Sequence, residues 1–498
     1  MPDAVRTDEL AATGIAGLDN VLHGGLTAER LYLVQGTPGA GKTTLALQFL
    51  LAGAAQGELG LYIALSETKE ELRGVAASHN WSLDSDNLKV SELNVSEENL
   101  TVDMQYTMFH PSEVELSKTT QTVLAEVERL KPRRVVFDSL AEIRMLAQDP
   151  LRYRRQVLAL KHFFAKHHCT VLLLDDAAAS DSHRNLHSAA HGVIYLEHLS
   201  PEYGVDARRL RVVKMRGRTY RQGYHDFNIE RGGLKVFPRL VAAEHDDIYA
   251  GGAVTSGVEV LDEMLGGGLE RGTGTMLIGP TGAGKSTISA HFAAAAAERG
   301  DKTAIFTFDE RRGTYMNRAK GIGLDLDPLL ENGTLSIQQV DPATLSPGSF
   351  ESMIRAMVEE DTSVLVIDSL NGYIHAMPSE ASLLIQLHEL FTFLGRKGIT
   401  TLLVVTQPGL IGEGVITPVN ASYLVDSVIM LRYFERSGRI RKAISVLKKR
   451  NGPHQRDIRE LHLGERAERL YIGETLEGLE GILRGTPVLS DPGELGGV

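Results

Sequence analysis

Along this 498-residue chain, short apolar runs alternate with longer stretches of helical character. LYLVQG, LYIAL, VVFD and TVLLLDD in the first half, and TMLIGP, TAIFTF, VLVID and TLLVVTQ in the second, are short and apolar throughout. Such runs predict strands buried on both faces, and therefore a largely parallel sheet covered by helices. LALQFLLAGAA from Leu45 and ISAHFAAAAAE from Ile288 predict helices that are apolar nearly all round, and so buried. The fold class is α/β.

The pattern is written twice. GTPGAGKTT begins at Gly36 and GPTGAGKST at Gly279, and their lysines, Lys42 and Lys285, stand 243 residues apart. The same offset superposes TGIAGLDNVLHGGL on SGVEVLDEMLGGGL and brings Glu67 onto Glu310. The expected organisation is a first domain over 1–240, a linker over 241–253, a second domain over 254–485 and a short flexible tail over 486–498.

Both glycine stretches fit G-x-x-x-x-G-K-[ST], and each joins an apolar strand to a helix. Glycine is needed because inward-turned backbone N–H groups must surround a phosphate with no Cβ in the way. The nucleotide-binding candidates are therefore Gly36, Thr37, Gly39, Ala40, Gly41, Lys42, Thr43 and Thr44 in the first loop. In the second they are Gly279, Thr281, Gly282, Ala283, Gly284, Lys285, Ser286 and Thr287. ATP and Mg²⁺ are the implied cofactors, with Lys42 and Lys285 on the β- and γ-phosphates and Thr43 and Ser286 on the metal. Asp138 and Asp368 end the strands VVFD and VLVID and are the magnesium-side carboxylates. Glu67, and the pair Asp309 and Glu310, also close strands, where a carboxylate can take a proton from an attacking water or hydroxyl. A solvated strand end is the alternative for these three.

The most basic stretch is RRLRVVKMRGRTYRQG from Arg208, and VLKKRNG repeats its K-x-R pair. Three readings are open for Lys214, Met215 and Arg216 and for Lys448, Lys449 and Arg450. They are a nucleic-acid groove, a solvated charge run, and cations serving the phosphate of a neighbouring subunit in a ring. His183, His187 and His191 have helical metal spacing, but a strand follows at once. His167, His168 and Cys169 precede a buried strand and read as structural.

Acidic residues outnumber basic ones, 64 to 52, for a net charge of −12, which disfavours non-specific nucleic-acid binding. The single cysteine, Cys169, fits a reducing cytoplasm. The opening MPDAVRTDEL lacks the apolar core of a signal peptide, and no apolar run is long enough to span a bilayer.

Taken together, the duplicated loops, the GLDNVLHGGL and VLDEMLGGGL leaders, FDSL and IDSL, the late KMRG and KKRNG, and GLEGILRGTPV make the chain resemble the KaiC family. The resemblance implies two tandem RecA-like P-loop ATPase domains stacked into a double-ring homo-hexamer, with ATP between protomers. It further implies slow hydrolysis in the first ring and γ-phosphoryl transfer to serine or threonine of the neighbouring subunit in the second. Ser422 falls on the family's phosphoserine, Tyr423 stands where a threonine is expected, and Thr417 matches a nearby threonine. Ser66 replaces a glutamate beside Glu67, and Asp309 replaces another beside Glu310. KaiB-like proteins or sensor kinases are the implied partners. The competing functional readings are an ATP-clamped signalling scaffold with little turnover and a RecA- or RadA-like DNA-dependent ATPase.

Overall fold

The computed structural model of the protein describes residues 9–93, 111–147, 149–176, 183–200, 206–246, 251–341, 345–375, 380–407, 421–464, 470–484 and 488–489. The chain divides into two compact units, Met1–Arg239 and Leu240–Val498. Among the described residues no helix is long and apolar enough to cross a membrane.

In the first unit the described residues form a nine-stranded sheet. Its middle strand, Leu31–Gly36, pairs in parallel with Thr170–Asp176 on one side and Gly192–Leu199 on the other. Arg134–Asp138, Gly60–Ala64 and Leu88–Glu92 continue the parallel run. On the opposite flank Ala207–Met215, His225–Glu230 and Gly233–Phe237 are added antiparallel. The second unit repeats this strand order around its own middle strand, Gly274–Gly279, which pairs with Thr400–Thr406 and Ser427–Arg436.

The apolar runs become strands because successive side chains fall to opposite faces, and both faces are covered. Tyr32 and Val34 enter one core with Leu45, Phe49 and Leu50 of the helix Lys42–Ala55. Leu31 and Leu33 enter the other with Val157, Leu160 and Phe164 of the helix Pro150–Lys166. In the second unit Leu277 faces one core and Met276 and Ile278 the other. Each such fully buried side chain contributes about 1.5–3 kcal/mol, so the sheet is a rigid platform for whatever stands at its edge. The helix Lys285–Glu298 is buried nearly all round, its alanines letting it lie close to the strands.

Part of the segment expected as a linker packs within the second unit. Leu240 and Ala242 belong to an apolar core of that unit, and the Ala242 N–H donates to Glu389 Oε2 at 2.9 Å. At the other end, Val488–Leu489 pairs with Leu479–Glu480, so order extends into the stretch expected to be a flexible tail.

Candidate active sites

Each phosphate loop leaves the C-terminal end of a middle strand and turns into a helix at a glycine with left-handed backbone, Gly41 (φ 95°) and Gly284 (φ 113°). That backbone strains any residue with a Cβ, and an added Cβ would also displace Ile229 Cδ1, 2.8 Å away at Gly41, and Leu463 Cδ1, 2.7 Å away at Gly284. The loops thus present main-chain N–H groups at a helix N-terminus, a geometry suited to anions. The side chains of Ala40, Thr44, Ala283 and Thr287 are buried, leaving these residues only their backbone for a ligand.

Lys42 Nζ donates to the carbonyls of Gly36 (2.9 Å) and Thr37 (3.1 Å) and forms an ion pair with Asp176 Oδ1 at 2.8 Å. Lys285 Nζ donates to the carbonyls of Gly279 (2.9 Å) and Pro280 (2.8 Å). Burial pushes the Lys285 ammonium down to about 8, with Asp368 opposing the shift. A cleft of about 370 Å³ lies over the second loop, lined by Thr281, Lys285, Ser286, Asp309, Glu310 and Asp368. The sequence-predicted residues of the second site therefore converge on one space.

Asp138 and Asp368 are buried at strand ends, and in both units the peptide that follows them is cis. Burial raises both carboxyls. The Tyr62 hydroxyl, hydrogen-bonded to Asp138 Oδ2, and the Lys42 charge oppose the rise at Asp138. A hydrogen bond from Ser286 and the Arg318 charge oppose it at Asp368. Thr43 is likewise hydrogen-bonded to Asp138. Each unit therefore pairs a hydroxyl and a carboxylate as hard oxygen donors, which suits Mg²⁺ held through one or two side chains plus phosphate oxygens. Among the described residues no group of three or more His, Cys, Asp or Glu forms a metal site, and the His183 side chain lies outside them. His187 instead bonds Gln35 Oε1 through Nε2 at 2.7 Å.

The strand-end carboxylates differ between units. Glu67 is pushed up to about 7, first by burial and then by the negative charges of Asp138 and Glu71, with Lys42 opposing. Its Oε2 is buried and has no hydrogen-bond partner. Glu310 is gripped by Arg318, whose Nη2 donates to Oε2 at 2.9 Å and whose Nε lies 3.2 Å from both oxygens. Asp309 is exposed and accepts from the Ser369 hydroxyl at 2.5 Å.

A family profile described as "ATPase: KaiC" matches residues 11–241 and again 254–474. The chain belongs to the KaiC ATPase family. It is 27% identical over 496 residues to the circadian clock protein KaiC3 of Synechocystis sp., covering 98% of this chain and 96% of that one. It is 27% identical over 492 residues to the circadian clock oscillator protein KaiC of Picosynechococcus sp., covering 97% and 93%. The KaiC of Synechococcus elongatus is 26% identical over 485 residues, covering 95% and 91%.

In this KaiC-family chain the K-x-R pairs sit far from the loops of their own units. Met215 is level with Gly192, and Gly192 with Tyr32, at the start of the middle strand whose far end is Gly36. Four residues at about 3.3 Å each put roughly 13 Å of sheet between Lys214 or Arg216 and the first loop. Ser427, level with both Lys449 and Thr275, repeats this arrangement in the second unit. Meanwhile Lys214 donates to the Ala190 carbonyl (2.9 Å), Arg216 to that of Ser188 (2.6 Å), and Lys448 to those of Ser422 (3.0 Å) and Val425 (2.6 Å). Lys449 bonds the Gly268 carbonyl at 3.2 Å, and Arg450 pairs with Asp426 at 3.0 Å. Met215 packs against the first unit's core.

Other cations of the basic stretch are engaged within the fold. Arg209 pairs with Glu197 and lies with Arg211 over Tyr224, and Arg218 bonds the His23 and Gly25 carbonyls. Of the candidate phosphoacceptors, Ser422 is half-buried, Tyr423 is 57% exposed, and Thr417 lies outside the described residues.

Sequence reasoning missed Asp176, Tyr62, Arg318 and Ser369. Asp176 alone carried a signal: it closes TVLLLDD in a strand beside the first loop, where TLLVVTQ of the second half has Thr406.

Proposed function

We propose that this chain is a KaiC-type switch that binds ATP in both loops, hydrolyses it, and phosphorylates itself on Ser422 across the seam of a homo-hexameric double ring. The observation that carries this reading is the placement of each K-x-R pair at the sheet edge opposite its own loop. Cations so placed can meet a bound triphosphate only on another copy of the chain.

In the first unit Glu67 takes the proton of the attacking water, having an unpaired buried oxygen and a pKa near ambient pH. Lys42 and the loop amides hold the phosphates, and the products are ADP and inorganic phosphate. In the second unit Ser422 Oγ of one protomer attacks the γ-phosphorus held by Lys285 of its neighbour. The serine proton passes to Asp309, the bond to the β-phosphate oxygen breaks, and ADP leaves. Lys448 supports this geometry: bonded to the Ser422 carbonyl, it brings the serine along wherever its own charge docks. Thr43 with Asp138, and Ser286 with Asp368, would hold Mg²⁺, which supplies charge neutralisation at the transferring phosphate. The clock names of the relatives support a signalling or timing role with KaiB-like or sensor-kinase partners in the cytoplasm.

The test is native mass with and without Mg·ATP, followed by phosphopeptide mapping after incubation with γ-labelled ATP. A hexamer carrying label on Ser422 is expected. A chain that stays monomeric with ATP, or carries no phosphate on Ser422, overturns the reading.

A further inference from the structure

Asp176 is the one acid that pairs with a phosphate-loop lysine among the described residues. It ends the strand next to the first loop, level with Gly36, and its Oδ1 lies 2.8 Å from Lys42 Nζ. Its side chain is 49% exposed, whereas Lys42 is only 11% exposed, so the carboxylate is the solvent-facing member of the pair. At the same register in the second unit, level with Gly279, stands Thr406, whose N–H donates to Asn371 Oδ1 at 2.9 Å. No acid forms an ion pair with Lys285 among the described residues, and Lys285 is nearly buried. The two loops are otherwise matched in glycine geometry and in their lysine-to-carbonyl bonds. At the loop lysine itself, the ion pair with Asp176 is what the first site has and the second lacks among the described residues.

We propose that Asp176 competes with the γ-phosphate for Lys42, so that the first site favours the diphosphate over the triphosphate relative to the second site. The inference rests on the phosphate-loop reading given above. A diphosphate offers Lys42 only the β-phosphate, which the loop amides also hold, so Lys42 can share its charge between that group and Asp176. A triphosphate adds its extra charge where Lys42 reaches, and two anions then contend for one ammonium. The first unit is thereby tuned to retain ADP after turnover, while the second lacks that bias.

The test uses the full chain with the second loop disabled by Lys285→Ala, titrated with Mg²⁺ and fluorescent ADP or a fluorescent non-hydrolysable ATP analogue. In Asp176→Asn and Asp176→Thr the triphosphate analogue is expected to bind roughly tenfold tighter, with ADP changed by less than about twofold. Asp176→Glu, which keeps the charge, should keep the original ratio. Equal shifts for both nucleotides, weaker triphosphate binding in Asp176→Asn, or no shift in either variant overturns the proposal. Full nucleotide binding by a Lys42→Ala, Lys285→Ala chain would instead strike the phosphate-loop reading itself, so the two failures are distinct.

Discussion

Lys448 Nζ lies 3.0 Å from the main-chain oxygen of Ser422, which joins the second unit's late cation to its candidate phosphoacceptor. The neighbouring Tyr423 is exposed, but its phenol is carried on a longer, planar side chain with a different angle of approach. Ser422→Ala is therefore expected to remove nearly all label incorporated from γ-labelled ATP, while Tyr423→Phe leaves it within about twofold. Phosphopeptide mapping of both variants checks this, and label moving to Tyr423 in Ser422→Ala would contradict it.

Glu67 follows its strand with Ser66 before it, where the second unit has the acid pair Asp309 and Glu310. In a chain whose second loop is disabled by Lys285→Ala, Glu67→Gln is expected to slow ATP hydrolysis by about 10²–10⁴-fold, the usual worth of a general base. Nucleotide affinity, followed by the same fluorescent analogues, should hardly change. A parallel loss of affinity would assign Glu67 to binding instead.

Asp309 and Glu310 should not be equivalent. Arg318 occupies both oxygens of Glu310, whereas among the described residues Asp309 is held by Ser369 alone and is open to the cleft. Asp309→Asn is expected to depress phosphoryl transfer about 100-fold, and Glu310→Gln by far less. Comparing initial label incorporation in the two variants decides the order; the reverse ranking would make Glu310 the base.

Acid should weaken the first unit through His225. This ring is fully buried, its Nε2 bonding the Arg221 carbonyl at 3.0 Å and its Nδ1 accepting the Arg239 N–H at 2.9 Å. The neutral ring satisfies both partners, and a second proton would cost the Arg239 bond. Burial pushes the folded value from 6.5 down to about 4. Folding thus favours the neutral form, and stability is complete above 6.5 and drains away as pH falls toward 4. The full loss is roughly 3 kcal/mol. Thermal unfolding of the full chain at pH 7.5 and 5 should show a larger acid shift in the wild type than in His225→Gln. Identical shifts in the two chains would rule this residue out.

Much of this architecture was legible in the sequence because it rests on local patterns. LYLVQG and TMLIGP became the middle strands, and the helices after Lys42 and Lys285 are buried as their unbroken apolar character predicts. Gly41 and Gly284 were readable because only a residue without Cβ tolerates that backbone beside Ile229 and Leu463. The Arg318 grip on Glu310 was not legible, since RRGTYMNR shows spacing but not which acid a cation selects. Nor was the bond from Tyr62 to Asp138, which joins residues on separate strands. Asp176 and Lys42 meet only because strands far apart in the chain share a register, and no short window of sequence contains both. Which end of the sheet the K-x-R pairs occupy was hidden for the same reason, since strand pairing sets it.

The roughly 13 Å of sheet between cations and loop gives each unit a donor end and an acceptor end that cannot satisfy one another. On the proposed reading, two copies docked in sequence consume one donor and one acceptor and leave another of each at the outer ends. Adding a third or a fourth copy shifts those unspent ends without removing them. Only closure on itself cancels the remainder, so a fully satisfied assembly has no termini and an incomplete one always advertises a vacancy for the next chain.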